Sequence, residues 1–286
     1  MTAQLIALSL GWGVQSWTLA AMSALGELPK VDYAIHSDTT WEREQTYTFA
    51  EQWTPWLEEH GVKVVTVRGK RSHEIVHQSS KSDGRYLLIP AFTLGEETGN
   101  RGTLRRQCTG DWKIDPQDKY VNALLRELKI KKAPGVVEKW LGISQDEWQR
   151  AKHSQVPHIT HRYPLLDMKM SRAGCINWLR DHNLPVPPKS ACVFCPFHSR
   201  KAWQELKREG GTDWQIALEV DETIRNVRGS DQTYTTAGVQ LFVHAARLPL
   251  AQAVQIPEDH GMEQPDMFAS VEDDELASCD SGHCFL

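Results

Sequence analysis

Residues 5–10 form an apolar run, Leu-Ile-Ala-Leu-Ser-Leu, which breaks at once into Gly11-Trp12-Gly13-Val14-Gln15-Ser16 before residues 17–25 take up a helical pattern. A buried strand that ends in a glycine turn and feeds a helix is half of a strand–helix–strand unit. The pattern recurs. A strand at 33–36 ends in Ser37-Asp38-Thr39, a helix spans about 44–60, and residues 62–67 form a third strand rich in β-branched side chains. Strands alternating with helices predict a parallel, doubly wound α/β sheet covered on both faces.

Further along, residues 84–110 read as a glycine-containing loop and 117–128 as a helix. A later strand is expected at 136–143. A short helix follows at 171–182, with Ser171 as N-cap, ended by Pro185, Pro187 and Pro188. Two more helices are expected at 203–208 and 214–227. From about residue 256 the chain turns acidic and polar and reads as a tail. The expected organisation is a nucleotide-binding α/β domain over 1–160, a helical cysteine-motif region over 161–255 packed on it, and the tail at 256–286.

Hydrophobic residues make up 40% of the 286 and charged residues 24%, a globular balance. No apolar run reaches the roughly 18–20 residues that span a bilayer, and the first residues lack a signal-peptide pattern. The expectation is a cytoplasmic protein without a membrane partner. The net charge of −5 argues against a wholly basic nucleic-acid binder. Even so, Lys129, Lys131 and Lys132 cluster, as do Arg101, Arg105 and Arg106. Of the 11 tryptophans, most are expected to pack a core or a groove.

A parallel sheet takes ligands beyond the carboxyl ends of its strands. The first loop, from Ser9 to Ser16, is therefore the candidate phosphate site. Gly11 and Gly13 let backbone approach an anion, the helix start supplies amide hydrogens, and Ser9 and Ser16 add hydroxyls. The loop lacks the Gly-Lys-Ser/Thr ending of a Walker loop and the dinucleotide Gly-x-Gly-x-x-Gly pattern.

The stretch Gly11-Trp12-Gly13-Val14-Gln15-Ser16 resembles the PP-loop, Ser-Gly-Gly-x-Asp-Ser, of ATP pyrophosphatases and sulfate-nucleotide reductases. Gly11 stands for the first serine, Trp12 for a glycine and Gln15 for the aspartate tied to metal-assisted ATP cleavage. Cradling by backbone amides does not depend on that acid. Ser37-Asp38-Thr39-Thr40-Trp41-Glu42 is similar to a segment of reductase-like proteins of phage and bacterial genomes, placed where such folds contact adenosine. Arg106-Gln107-Cys108-Thr109 followed by Lys113-Ile114-Asp115-Pro116, Tyr163-Pro164-Leu165-Leu166-Asp167, His182-Asn183-Leu184-Pro185 and Ser190-Ala191-Cys192-Val193-Phe194-Cys195 resemble, in order, segments of iron–sulfur phosphoadenosine phosphosulfate (PAPS) reductases. Gly142-Ile143-Ser144-x-Asp146-Glu147-x-x-Arg150 resembles another. Together these cover about residues 5–200 and imply an adenine nucleotide α-hydrolase-like fold.

The resemblance implies nucleotide contacts from Ser9, Gly11, Trp12, Gly13, Val14, Gln15, Ser16, Asp38, Thr39, Arg106, Lys113, Arg150 and Arg172. Guanidinium forks suit phosphate and sulfate. The Cys192–Cys195 spacing suits a metal or cluster. A 4Fe-4S cluster would draw on Cys108, Cys192 and Cys195, with Cys175, Cys279 or Cys284 as fourth ligand, or with one iron left open. Zinc on Cys192 and Cys195, with His198 added, is the alternative. Cys279 or Cys284, in the tail context Cys-Asp-Ser-Gly-His-Cys, corresponds to a nucleophilic tail cysteine.

Three functions follow. The first is PAPS-reductase-like sulfur and redox chemistry, recycled by a thioredoxin-like reductant. The second is ATP-dependent thiolation or other modification of tRNA or DNA. The third is a non-catalytic nucleotide-binding regulator.

Overall fold

The computed structural model describes residues 3–76, 87–104, 106–225 and 238–255. The chain divides into two compact units. One comprises residues up to Ser72 together with Thr109–Ala191. The other comprises the described residues within His73–Cys108 and those from Cys192 to Gln255. Both are discontinuous, so the expected boundary after residue 160 falls inside the first unit.

The first unit is the α/β sandwich. Strands β1 (Leu5–Ser9), β2 (Tyr33–Asp38) and β3 (Lys63–Arg68) alternate with helices α1 (Val14–Leu25) and α2 (Glu44–Glu59). A wide π-type turn (Thr109–Ile114) leads into α3 (Asp115–Glu127). Strand β6 (Val137–Trp140), a 3-10 turn (Gln145–Arg150), β7 (Ile159–Arg162), α4 (Pro164–Asp167) and α5 (Arg172–Asp181) complete it. The five strands are ordered β3-β2-β1-β6-β7. All are parallel.

Alternation along β1 explains the two faces. Leu5 and Ala7 pack with Ile35, Val121, Leu124 and Leu125 under α3. Leu8 points the other way, into a cluster with Trp12, Trp17, Leu19, Phe49 and Leu179. The tryptophans concentrate there: Trp17 meets Phe49 at 5.5 Å, Trp53 at 5.4 Å and Trp56 at 5.7 Å between ring centroids. Helix α5 starts as its sequence implies, with the Ser171 hydroxyl accepting from the Gly174 N–H at 3.0 Å.

The second unit carries an antiparallel sheet ordered β5-β4-β8, formed by β4 (Phe92–Gly95), β5 (Arg101–Thr103) and β8 (Val239–Phe242). Helices α6 (Arg200–Glu209), α7 (Gly211–Arg225) and α8 (Leu250–Ala253) belong to it. Buried Asp221 ties these pieces together, accepting from the N–H groups of Val243 (3.1 Å) and Leu250 (2.9 Å) and pairing with Arg225. Residues 84–110 were expected as loop. They contain two of the strands, which are only three and four residues long; β5 pairs with β4, and β4 pairs in turn with β8 some 150 residues away, so local pattern carries no trace of them. Among the described residues no helix is long and apolar enough to cross a membrane.

Candidate functional site

In the order β3-β2-β1-β6-β7 the chain reverses its direction of winding between β1 and β6, so the crevice at the carboxyl ends of those strands is the expected ligand position. The loop after β1 lies there. Its start is pinned by the Leu10 N–H to the Ile35 carbonyl at 2.9 Å. Trp12 takes a left-handed backbone conformation, φ 59°. That conformation is costly for a bulky residue. It turns the indole into the core, against Trp17 (6.1 Å), Phe49 (6.2 Å) and His36 (6.5 Å). Trp12 was expected as a ligand contact; its side chain is a core residue.

Gly13 caps α1 with no side-chain hydrogen bond, and the first turn of α1 carries no acid of its own. The Gly11 N–H donates to Ser16 Oγ at 3.1 Å, and the Ser16 hydroxyl donates to the Gly13 carbonyl. The hydroxyl expected to face phosphate thus braces the loop instead. Ser9 Oγ accepts from Gln117 Nε2 at 3.0 Å. The loop after β6 presses close: a Cβ on Gly142 would sit 2.8 Å from the Ser16 nitrogen and 3.1 Å from the Gln15 carbonyl carbon.

Gln15 is wholly buried and sits at the centre of a polar set drawn from three segments. Its Oε1 accepts from Arg172 Nη1 at 2.8 Å. Its Nε2 donates to Glu147 Oε2 at 3.2 Å and reaches Ser144 Oγ at 3.5 Å. Glu147 also pairs with buried Arg150. Asp146 Oδ2 accepts from the Arg172 N–H at 2.5 Å, so it caps α5. Of the cations expected to meet an anion, Arg150 and Arg172 are therefore assembled beside the α1 head, within a network balanced by Glu147 and Asp146. Glu147 and Ser144 belong to the motif that carries Arg150 but were not expected as members of the site. An amide at position 15 is what lets one side chain accept from a guanidinium and donate to a carboxylate.

A second polar set lies at the end of β2. Burial pushes the Asp38 carboxyl up, but the Thr40 N–H, the Tyr47 hydroxyl and Arg68 outweigh it and hold the group below its ordinary value. The Thr40 N–H (2.7 Å) and Tyr47 hydroxyl (2.9 Å) reach Oδ1, while Arg68 Nε (2.7 Å) and Nη2 (2.6 Å) reach Oδ2. Four donors already meet Asp38, which makes it a loop brace. Thr39 is fully buried, 3.5 Å from Glu42 Oε1. Lys113, expected as an anion contact, has its Nζ 3.1 Å from Glu42 Oε1, and both are buried. The Ser190 hydroxyl donates to Glu42 Oε2 at 3.3 Å. The Ser37 hydroxyl donates to the Lys113 carbonyl at 2.8 Å, which ties the π-type turn to β2.

The cysteines divide by environment. Cys175 is fully buried on α5 in the cluster that holds Trp17 and Leu179. Burial pushes its thiol up to about 12. That is the chemistry of a small packed hydrophobe, not of a thiolate ligand, and it corrects the ligand role expected of it. Cys192 and Cys195 sit on one tight turn. The Cys195 N–H donates to the Cys192 carbonyl, and the His198 N–H donates to the Cys195 carbonyl, each at 3.0 Å. The His198 ring meets the Cys192 carbonyl through Nε2 at 3.0 Å. That bond places the proton on Nε2 and the lone pair on Nδ1, an orientation compatible with the zinc alternative in which His198 is a ligand.

Cys108 is half-buried at the start of the π-type turn. Arg106 lies over the Phe197 ring at 4.6 Å. Among the described residues, no group of three or more His, Cys, Asp or Glu is arranged to hold a metal ion. Cys279, Cys284, His283 and Arg105 lie outside the described residues.

No protein-family model matches the sequence, and no curated protein sequence matches it significantly. Among solved structures, the chain is similar to a PAPS reductase from Candida auris in a phosphate complex, at 13% identity and a TM-score of 0.38. That match covers 64% of this chain and 74% of the other. It is also similar to the U34-tRNA thiolase NcsA from Methanococcus maripaludis with its 4Fe-4S cluster, at 14% identity and a TM-score of 0.36, covering 81% and 75%. Scores this low do not establish a shared fold, so the functional reading rests on the residues.

Proposed function

We propose that this chain is a nucleotide-binding enzyme of the PP-loop type, whose α/β unit takes the anionic tail of an adenine nucleotide at the head of α1. The observation that carries the reading is the convergence at the β1/β6 reversal. An α1 first turn with no acid of its own, the Gly142 approach, and the Arg150 and Arg172 guanidiniums, balanced by Glu147 and Asp146, meet around Gln15. Helix heads and guanidiniums are the two devices by which proteins hold phosphate.

The reaction we favour is sulfur and redox chemistry on PAPS. A thiolate of Cys279 or Cys284 attacks the sulfur, and adenosine 3′,5′-bisphosphate leaves. A second thiol from a thioredoxin-like reductant then releases sulfite and closes a disulfide. A 4Fe-4S cluster would draw on Cys108, Cys192 and Cys195, which are not gathered into a metal-holding group among the described residues, so no step is assigned to it. The test is anaerobic purification with iron and zinc analysis, followed by calorimetry with ATP and PAPS and a sulfite-release assay. The expected result is PAPS binding weakened at least tenfold by Arg172→Ala, and sulfite release lost in a Cys279→Ser/Cys284→Ser double variant. Pyrophosphate release from ATP stimulated by tRNA or DNA would move the assignment to nucleic-acid modification. Binding of neither nucleotide would overturn the reading altogether.

A further inference from the structure

Of the large hydrophobic side chains that stay in water among the described residues, Trp148 is the most exposed, at 62%. It sits on the 3-10 turn Gln145–Arg150. Residues three apart share a face of such a turn. Glu147 and Arg150 therefore go inward together, to the network around Gln15, while Trp148 faces out beside them. The turn is held on both sides. The Gln145 N–H donates to the Met170 carbonyl at 2.9 Å, and Asp146 caps α5, which sets residues 168–172 beside it. Downstream, the Lys152 N–H donates to the Tyr163 hydroxyl at 2.8 Å, and the Lys152 carbonyl accepts from His161 Nδ1 at 2.9 Å, which lays residues 151–153 along β7.

The chain around this indole has the opposite charge to the whole. From Trp148 to Arg172, five lysines and arginines stand against one acid, Asp167, in a protein of net charge −5. Lys152, Arg162 and Lys169 are exposed, and Asp167 is 3.6 Å from Arg162. Met168, next to Lys169, is exposed as well. The segment forms the β7 edge of the five-stranded sheet. It is neither of the basic clusters at 101–106 and 129–132 that the sequence brings out. A lone exposed hydrophobe needs no explanation. An indole held by its turn at the rim of the candidate site, on a basic edge of an acidic protein, matches a polyanion that carries flat apolar faces.

We propose that the β7 edge binds single-stranded nucleic acid, with a base stacked on Trp148 and the phosphates passing Lys152, Arg162 and Lys169. Aromatic faces beside cations that track a backbone are how proteins hold unpaired strands. A duplex keeps its bases stacked inside and offers Trp148 no face. The surface goes beyond the nucleotide reading and does not depend on it, because it lies on the outward side of the turn whose inward side meets Gln15.

Fluorescence anisotropy of the full chain with labelled DNA and RNA single strands of about 15 nucleotides, and with a duplex of the same length, tests this. Single strands are expected to bind more tightly than the duplex, with affinity that falls as salt rises. Trp148→Ala should weaken single-strand binding by about tenfold, and Trp148→Phe, which keeps an aromatic face, should recover most of it. A Lys152→Glu/Lys169→Glu double variant should weaken binding and flatten its salt dependence, which Trp148→Ala leaves as it was. Binding of ATP or PAPS should be the same in Trp148→Ala and wild type. Loss of the nucleotide reading with oligonucleotide binding retained therefore leaves this inference standing. Single-strand binding that Trp148→Ala does not weaken overturns it, as does a duplex bound as tightly as single strands, or no binding of either. If Trp148→Ala instead raises the KM for a thioredoxin-like reductant and leaves oligonucleotide binding unchanged, the surface belongs to a protein and the proposal falls.

Discussion

Gln15→Glu is the most searching perturbation of the site, because it changes one atom and keeps the shape. In the native network the amide donates to Glu147 at 3.2 Å and accepts from Arg172 at 2.8 Å. A carboxylate keeps the second contact and loses the first. At an effective dielectric near 20, two like charges about 3 Å apart repel by roughly 5 kcal/mol, and the new charge attracts Arg172 by a similar amount. Those contributions nearly cancel, and Arg150 tips the balance slightly towards attraction. Two others do not cancel. Placing a charge at a wholly buried position costs several kcal/mol. Leaving Glu147 Oε2 without its donor costs about 1.5–3 kcal/mol. The net expectation is a loss of about 3–5 kcal/mol of unfolding free energy.

The pH dependence gives the sign check. The introduced carboxyl has an unfolded pKa near 4.3, and burial beside Glu147 raises it in the folded state. The penalty is therefore small near the unfolded pKa, where the protonated group can again donate to Glu147. It grows by up to about 1.4 kcal/mol per unit as pH rises towards the folded pKa, then levels off. Urea unfolding of variant and wild type, compared at about pH 8 and about pH 5, reads this directly. Adding Glu147→Gln to the variant restores a donor opposite the new charge and should recover at least about 1 kcal/mol. A variant as stable as wild type at pH 8, or a gap that does not narrow on acidification, would refute the network as described.

Gly142→Ala puts a methyl 2.8 Å from the Ser16 nitrogen; it should cost about 1–3 kcal/mol in denaturant unfolding and weaken nucleotide binding as the β6 loop is pushed off α1. Cys175→Ala, which trims a side chain packed in the α1–α5 core, should lose about 1 kcal/mol with iron and zinc content unchanged, whereas Cys192→Ser should lower metal content. Asp221→Ala strands two buried N–H groups and Arg225, an expected loss of about 3–5 kcal/mol, with Asp221→Asn costing less; limited proteolysis of the region from residue 192 onward reports it. His244 accepts from the Ala246 N–H at 3.0 Å, and burial, helped by Arg200, lowers its pKa to about 4. The unfolded state then takes up the proton first, so stability falls as pH drops from about 6.5 towards 4, by about 1–2 kcal/mol at pH 5. His244→Asn, which keeps the acceptor, should abolish that share of the acid sensitivity in unfolding measurements.

What the sequence discloses of this protein follows the range of the forces involved. The strand-turn-helix at 5–25 and the strand at 33 were legible because a buried parallel strand is largely apolar and a helix must start somewhere; the edge strand at 63, partly exposed, was legible from its β-branched residues. Strands β4, β5 and β8 were not, since three or four residues carry no period and Phe92 finds Phe242 only through the finished fold. The site shows the same division. That the α1 head would follow the carboxyl end of a parallel strand was readable from local pattern; how Gln15 is used was not, because its partners stand 132 and 157 residues away. Trp12 marks the limit of motif reading: the motif assigns the residue to the loop, but its φ of 59° sends the side chain to the core. Asp38, Lys113 and Ser16, all read from motifs as ligand contacts, have bonds closed within the protein, to Arg68 and Tyr47, to Glu42, and to the Gly13 carbonyl. A motif names a residue that braces the site and one that faces a ligand alike; only the hydrogen-bond account separates them.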